Sequence, residues 1–188
     1  MNEQQVDSIV SLAPVPARSA LPDPYRQILT HALAAKGVPF RLGGRDLGRE
    51  LCCSGLVASS AEAAGFRCPR LMDYAALTGR WLPEPPPFSE ATRLRDALRS
   101  ALDDDCERVH PAHAQVGDVL LFKIPPLAFG TIPVQYHIAL ISHTDPWTML
   151  DTHPWRGVSE RPIPLDGQRR GKFLEAVYRF RKLPDIAM

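Results

Sequence analysis

Leu51-Cys52-Cys53-Ser54-Gly55-Leu56-Val57 sets two thiols between a glycine-rich loop and a run of small residues at helical spacing. Upstream, Val38 to Gly48 carries Pro39, Gly43, Gly44 and Gly48, which is loop chemistry. Downstream, Leu56, Val57, Ala58, Ala61 and Ala64 recur until Gly65, so a short, smooth-faced helix is expected over 54–64. A thiol at the start of such a helix meets unpaired backbone N–H groups and the positive end of the dipole, both of which favour the thiolate. Cys53 is the candidate nucleophile on that ground. The alternative makes Cys52 and Cys53 small buried residues of a turn.

A thiol nucleophile needs a base, and the chain offers His31, His110, His113, His137, His143 and His153. His137 opens the run His137-Ile138-Ala139-Leu140-Ile141, where strand alternation puts it on one face with Ala139 and Ile141. A further polar group should orient the imidazole from a neighbouring strand. Asp151 and His153 alternate onto a common face of the following run, and either would serve.

Working outward, a helix is expected over 23–36, with Ile28, Leu29, Ala32 and Leu33 as its apolar stripe and Gly37 as its stop. A Pro-rich connector over 81–88 leads to another helix, from an N-cap at Ser89 to about Leu102. From Gly117 onward the pattern is β, with runs at 119–122, 136–142, 148–151, 158–161 and 173–180. Helices first and strands second argue for an α+β fold with an antiparallel sheet, since a parallel sheet needs helices between its strands. One domain over 21–184 is expected, preceded by a loosely held arm over 1–20 and carrying an insertion at about 81–113.

Composition narrows the classes. The chain has 188 residues, 45% hydrophobic and 23% charged, with a formal charge of +1, so no global field draws it to nucleic acid or to anionic lipid. No apolar run approaches the roughly 18 residues of a membrane helix. The first residues lack the basic and apolar pattern of an export signal, which leads to the expectation of a cytoplasmic protein with free thiols at its four cysteines.

Four segments, in order, resemble the NlpC-type cell-wall cysteine peptidases, a papain-like family that cleaves peptidoglycan stem peptides. Gly37-Val38-Pro39-Phe40-Arg41-Leu42-Gly43-Gly44 is similar to the family's Gly-x-Pro-Tyr-x-x-Gly-Gly loop, and Cys53-Ser54-Gly55-Leu56-Val57 to its nucleophile segment. Val116-Gly117-Asp118-Val119-Leu120-Leu121-Phe122 resembles its Pro-Gly-Asp strand, and Tyr136-His137-Ile138-Ala139-Leu140-Ile141 its histidine strand. The resemblance implies a papain-like fold, with the nucleophile at a helix N-terminus packed on the antiparallel sheet. It implies Cys53 as nucleophile, His137 as base and His153 or Asp151 as third residue, with His153 preferred. It assigns substrate contacts to Phe40, Gly44, Ser54 and Tyr136, and calls for no metal or cofactor. The implied substrate is a γ-D-glutamyl to diamino-acid bond in a stem peptide.

The basic and aromatic end Ala176-Val177-Tyr178-Arg179-Phe180 and the Pro-rich connector further resemble the branch encoded with phage tails and gene-transfer agents. That branch implies phage-tail-like partners and delivery to the wall by a particle or by lysis. Two positions depart from the family: Cys52 replaces its usual Asp, so a polar contact to the loop is expected to be lost, and Phe40 replaces a tyrosine, so a hydroxyl is missing. A rival reading is therefore a catalytically impaired module that binds tail or wall. A zinc site at Cys106, His110 and His113 lacks a fourth ligand. Asp103-Asp104-Asp105 reads as a solvated helix end, Arg169-Arg170 and Lys172 as a solvated basic turn, and Trp81, Trp147 and Trp155 as core or rim.

Overall fold

One sheet meets the helices that precede it in the chain. The structure, a computed structural model, describes residues 23–79, 88–124, 135–163 and 173–181. The expected N-terminal arm, the Pro-rich connector with Trp81, and the basic turn at Arg169, Arg170 and Lys172 lie outside the described residues. Helix α1 (Asp23–Ala34) buries Ile28, Leu29 and Ala32 as its stripe requires, and Gly37, at φ 87°, turns the chain after it. A two-stranded hairpin, β1 (Arg45–Asp46) and β2 (Glu50–Leu51), closes the glycine-rich loop. Helix α2 (Cys53–Ala63) follows at once, with every residue from Ser54 to Ala61 buried. Its small side chains let it lie deep in the core.

Helix α3 (Pro69–Thr78), on which the periodicity reading is silent, turns Leu71 and Ala75 inward. Helix α4 (Phe88–Asp105) runs three residues past its expected end and buries Leu98, Ala101 and Leu102. The chain then forms β3 (Cys106–Val109), a short 3-10 turn (Pro111–His113), β4 (Val119–Ile124), β5 (Gln135–Thr144), β6 (Trp147–His153), β7 (Gly157–Pro162) and β8 (Phe173–Phe180). These six strands make one antiparallel sheet in the order β3-β8-β4-β5-β6-β7. The architecture is α+β, as the segregation of helices and strands predicts. β5 sits inside the sheet, and each residue from His137 to Ser142 is buried. A single apolar cluster joins α1, α2 and α4 to β4, β5, β6 and β8. Among the described residues no helix is long and apolar enough to cross a membrane.

Candidate active site

The two adjacent thiols have different surroundings. Cys52 is the N-cap of α2 in extended backbone, and its buried Sγ accepts the Gly55 N–H at 3.3 Å and lies 3.3 Å from Ser54 Oγ. The sulfur thus caps the helix itself, and the Cys52 N–H donates to Gly44 O at 3.0 Å, a backbone contact to the loop that does not depend on the side chain at this position. Cys53 is the first helical residue, only partly buried, and its thiol lies near the backbone N–H groups of Ile138 on β5 and of Ser54. Close approach seats the helix start on the loop. A Cβ at Gly55 would stand 1.8 Å from Gly44 O, so the backbones touch where glycine alone fits.

Across the helix start, His137 of β5 presents Nε2 at 2.7 Å from Asp151 Oδ2 on β6. Leu140 pairs with Leu150 and Ile141 with Met149, so His137, Ala139 and Ile141 share a face with Met149, Asp151 and His153. Continuing that register sets the small Ala139 opposite Asp151, which leaves room for the imidazole to reach the carboxylate diagonally. Of the two candidates for the third position, Asp151 is the one that meets the His137 ring at hydrogen-bond distance. His153 closes β6, its Nδ1 accepts the Trp155 N–H at 3.3 Å, and the two rings lie 5.2 Å apart. Trp155 is 88% exposed, so the expectation of core or rim packing fails for it.

Asp151 is fully buried and has a second partner that sequence reasoning missed. Arg161 of β7 donates through Nε to Oδ1 at 2.9 Å and through Nη2 to Oδ2, forming a two-pronged ion pair. Burial opposes the ionised carboxyl, but hydrogen bonds from His137 and Arg161 outweigh it, and the net effect lowers the pKa of Asp151. The signal available in the sequence was alternation: Ser159 and Arg161 share the face of Asp151.

The thiol behaves otherwise. Burial pushes Cys53 up to about 12, Cys52 and, less, Asp151 push the same way, and the N–H groups of Ile138 and Ser54 offset only part. The direction is opposite to the one expected from the helix terminus, and its largest cause is desolvation. Tyr74 of α3 is a further neighbour absent from the sequence reading. Burial raises its phenol, and charge on Cys53 and Cys52 would raise it more.

The remaining expected contacts disperse. Gly44 is buried against α2, and Phe40 is half-buried in a bridge to Leu51. Ser54 is 1% exposed, with its hydroxyl on Cys52, which leaves it no surface for a substrate. Tyr136 alternates to the other face of β5, where its hydroxyl donates to Glu175 at 2.8 Å and Arg99 lies over its ring. Cys106 is buried in the core, whereas His110 and His113 are exposed on the 3-10 turn. Among the described residues no group of three His, Cys, Asp or Glu side chains is placed to hold a metal.

No protein-family model matches the chain, and no curated protein does. Among solved structures it is similar to a lipoprotein-like protein of the NLP/P60 family from Staphylococcus aureus, with a TM-score of 0.51 at 17% identity. The match covers 93% of this chain and 45% of that one, so the chain spans less than half the length of the protein it resembles. The likeness is one of fold, and it agrees with the papain-like architecture implied by the four motifs.

Proposed function

We propose that the protein is a cysteine peptidase that hydrolyses peptidoglycan stem peptides at a γ-D-glutamyl to diamino-acid bond. Cys53 is the nucleophile, His137 the base and Asp151 the group that orients it. The observation that carries this reading is the 2.7 Å contact between His137 and Asp151, on a strand whose next residue, Ile138, lies near the Cys53 thiol. An ionised carboxylate only accepts, so His137 Nε2 carries the proton and Nδ1 is left with a lone pair for the thiol.

Burial disfavours the thiolate, so in this reading the proton moves from Sγ to Nδ1 as sulfur attacks the substrate carbonyl, and the imidazolium then protonates the leaving amine. Water attacks the resulting thioester with His137 again as base, which frees the acid and restores the thiol. The tetrahedral oxyanion meets the Cys53 N–H, which has no carbonyl four residues back within the helix. The Gly55 N–H is engaged by Cys52. Tyr74, which feels both sulfurs, offers on this side a hydroxyl of the kind Phe40 lacks. The basic and aromatic β8 keeps the phage-tail branch, with delivery by a particle, within the same reading.

Purified protein is incubated with stem peptides containing that bond and the products are read by mass spectrometry. Cys53→Ala and His137→Ala are each expected to lose more than about a thousandfold in rate, with unchanged circular dichroism. Equal cleavage by Cys53→Ala would sink the reading. Intact peptides with the wild type, together with retention of the protein on peptidoglycan, would transfer the site to a wall-binding module.

A further inference from the structure

Asp151 lies fully buried in the sheet, and a carboxylate there needs a fixed cation to stay ionised and a fixed plane to be useful. Arg161 supplies both. Its side chain is 18% exposed, its Nε takes Oδ1, and its Nη2 takes the Oδ2 that also receives His137. Register explains the reach: Asp151 faces Ser159 and Met149 faces Arg161, so the guanidinium comes diagonally from the next strand over a short serine. We propose that Arg161 is the positioning residue of the site, a clamp from β7 that fixes the plane and the charge of Asp151 and through it the tautomer of His137. The inference rests on the thiol-peptidase reading of Cys53 and His137.

The chemistry follows from donor and acceptor inventory. With the fork in place the carboxylate is acceptor-only, so Nε2 keeps its hydrogen and Nδ1 carries the lone pair that a base needs. Without it, burial favours the protonated carboxyl, whose O–H donates to Nε2 and drives the hydrogen to Nδ1, so the ring presents a proton where a base is required. The charged and titratable groups around Asp151 are His137 from β5, Arg161 from β7, Cys53 from α2 and, two positions along its own strand, His153. Lysine keeps the charge but cannot form the fork.

Alkylation of Cys53 by iodoacetamide tests this without any substrate. The rate is followed by peptide mass spectrometry in a Cys52→Ala background from about pH 5 to about pH 10, bracketing the ordinary imidazole and thiol ranges. Arg161→Met is expected to slow alkylation at neutral pH by about tenfold or more and to move the profile to higher pH. Arg161→Lys is expected to fall between Arg161→Met and the parent. Added to Asp151→Asn, Arg161→Met should change the rate by less than about twofold, since it acts through the carboxylate. A lower melting temperature with an unchanged alkylation profile would overturn the inference. So would an equal loss from Arg161→Met with and without Asp151, or a parent rate no faster than that of His137→Ala. Should Arg161→Met fail to fold, Arg161→Lys decides: a profile that matches the parent refutes the clamp. If alkylation behaves as expected while stem peptides stay intact, the peptidase reading fails and the clamp stands.

Discussion

Cys52 and Cys53 carry the same functional group, yet the helix start assigns them opposite tasks. Cys52 is buried and uses its sulfur as a cap, whereas Cys53 turns its thiol to β5. A sulfur is a weak acceptor, so Cys52→Ala is expected to cost about 0.5–1 kcal/mol of stability, at the lower end for N-caps. Hydrolysis should persist if, as proposed, Cys53 supplies the nucleophile. Chemical denaturation followed beside the peptide assay checks both halves, and lost cleavage at full stability would reverse the assignment. The placement of Cys53 at a helix start and of His137 on a strand face was legible in the sequence, because local periodicity fixes each. The choice between Asp151 and His153 was not, since both share the correct face and only the side-chain geometry, with Asp151 reached diagonally, shows which of the two meets the ring. The thiol's charge was not legible either: the dipole is local, but the burial that overrides it comes from the whole fold.

The contact of α2 with the glycine loop determines whether these residues meet at all. A Cβ on Gly55 would fall 1.8 Å from Gly44 O, a clash with backbone that no rotamer relieves. Gly55→Ala is therefore expected to cost about 3 kcal/mol or more, and cleavage should fall with it as Cys53 is pushed from β5. Gly48→Ala is the control, since its added methyl would meet only Asp46 Oδ1 at 3.5 Å. Melting temperatures compare the two, and equal tolerance would show that the loop yields. The major elements were legible for the same steric and periodic reasons. β3 was missed because Cys-Glu-Arg-Val has no apolar alternation of its own and takes its conformation from β8. The end of α4 was misread because three acids oppose a helix C-terminus. The fold compensates two of them locally: Arg108 and the Tyr178 hydroxyl reach Asp103, and Asp105, buried rather than solvated, accepts the Leu71 N–H at 2.8 Å and so caps α3.

At the scale of the molecule, β5 lies between two pairs of strands, each joined by a buried carboxylate and an arginine. On one side Asp151 and Arg161 tie β6 to β7, and on the other Asp118, at the head of β4, takes Arg179 of β8 through two bonds of 2.8 Å. The pairs are alike in geometry and opposite in electrostatic outcome. Burial raises the carboxyl of Asp118 against the pull of Arg179, whereas His137 and Arg161 together overcome burial at Asp151. The Asp118 pair therefore holds the sheet close to its electrostatic limit. Arg179→Met leaves a buried carboxylate whose main partner is gone, and it is expected to cost about 3–5 kcal/mol at neutral pH. A carboxyl raised in the folded state contributes most below its unfolded pKa and loses that contribution as pH rises through the folded value. The variant should accordingly recover toward the wild type as the pH falls through the acid range. Asp118→Asn added to Arg179→Met should regain much of the loss at neutral pH, because the unpaired charge is then absent. Urea unfolding of the three variants at neutral and acid pH measures this. A loss that is independent of pH and unrelieved by Asp118→Asn would show that Arg179 serves the sheet by packing alone, and that the charge beneath β4 takes no part in holding the strand beside His137.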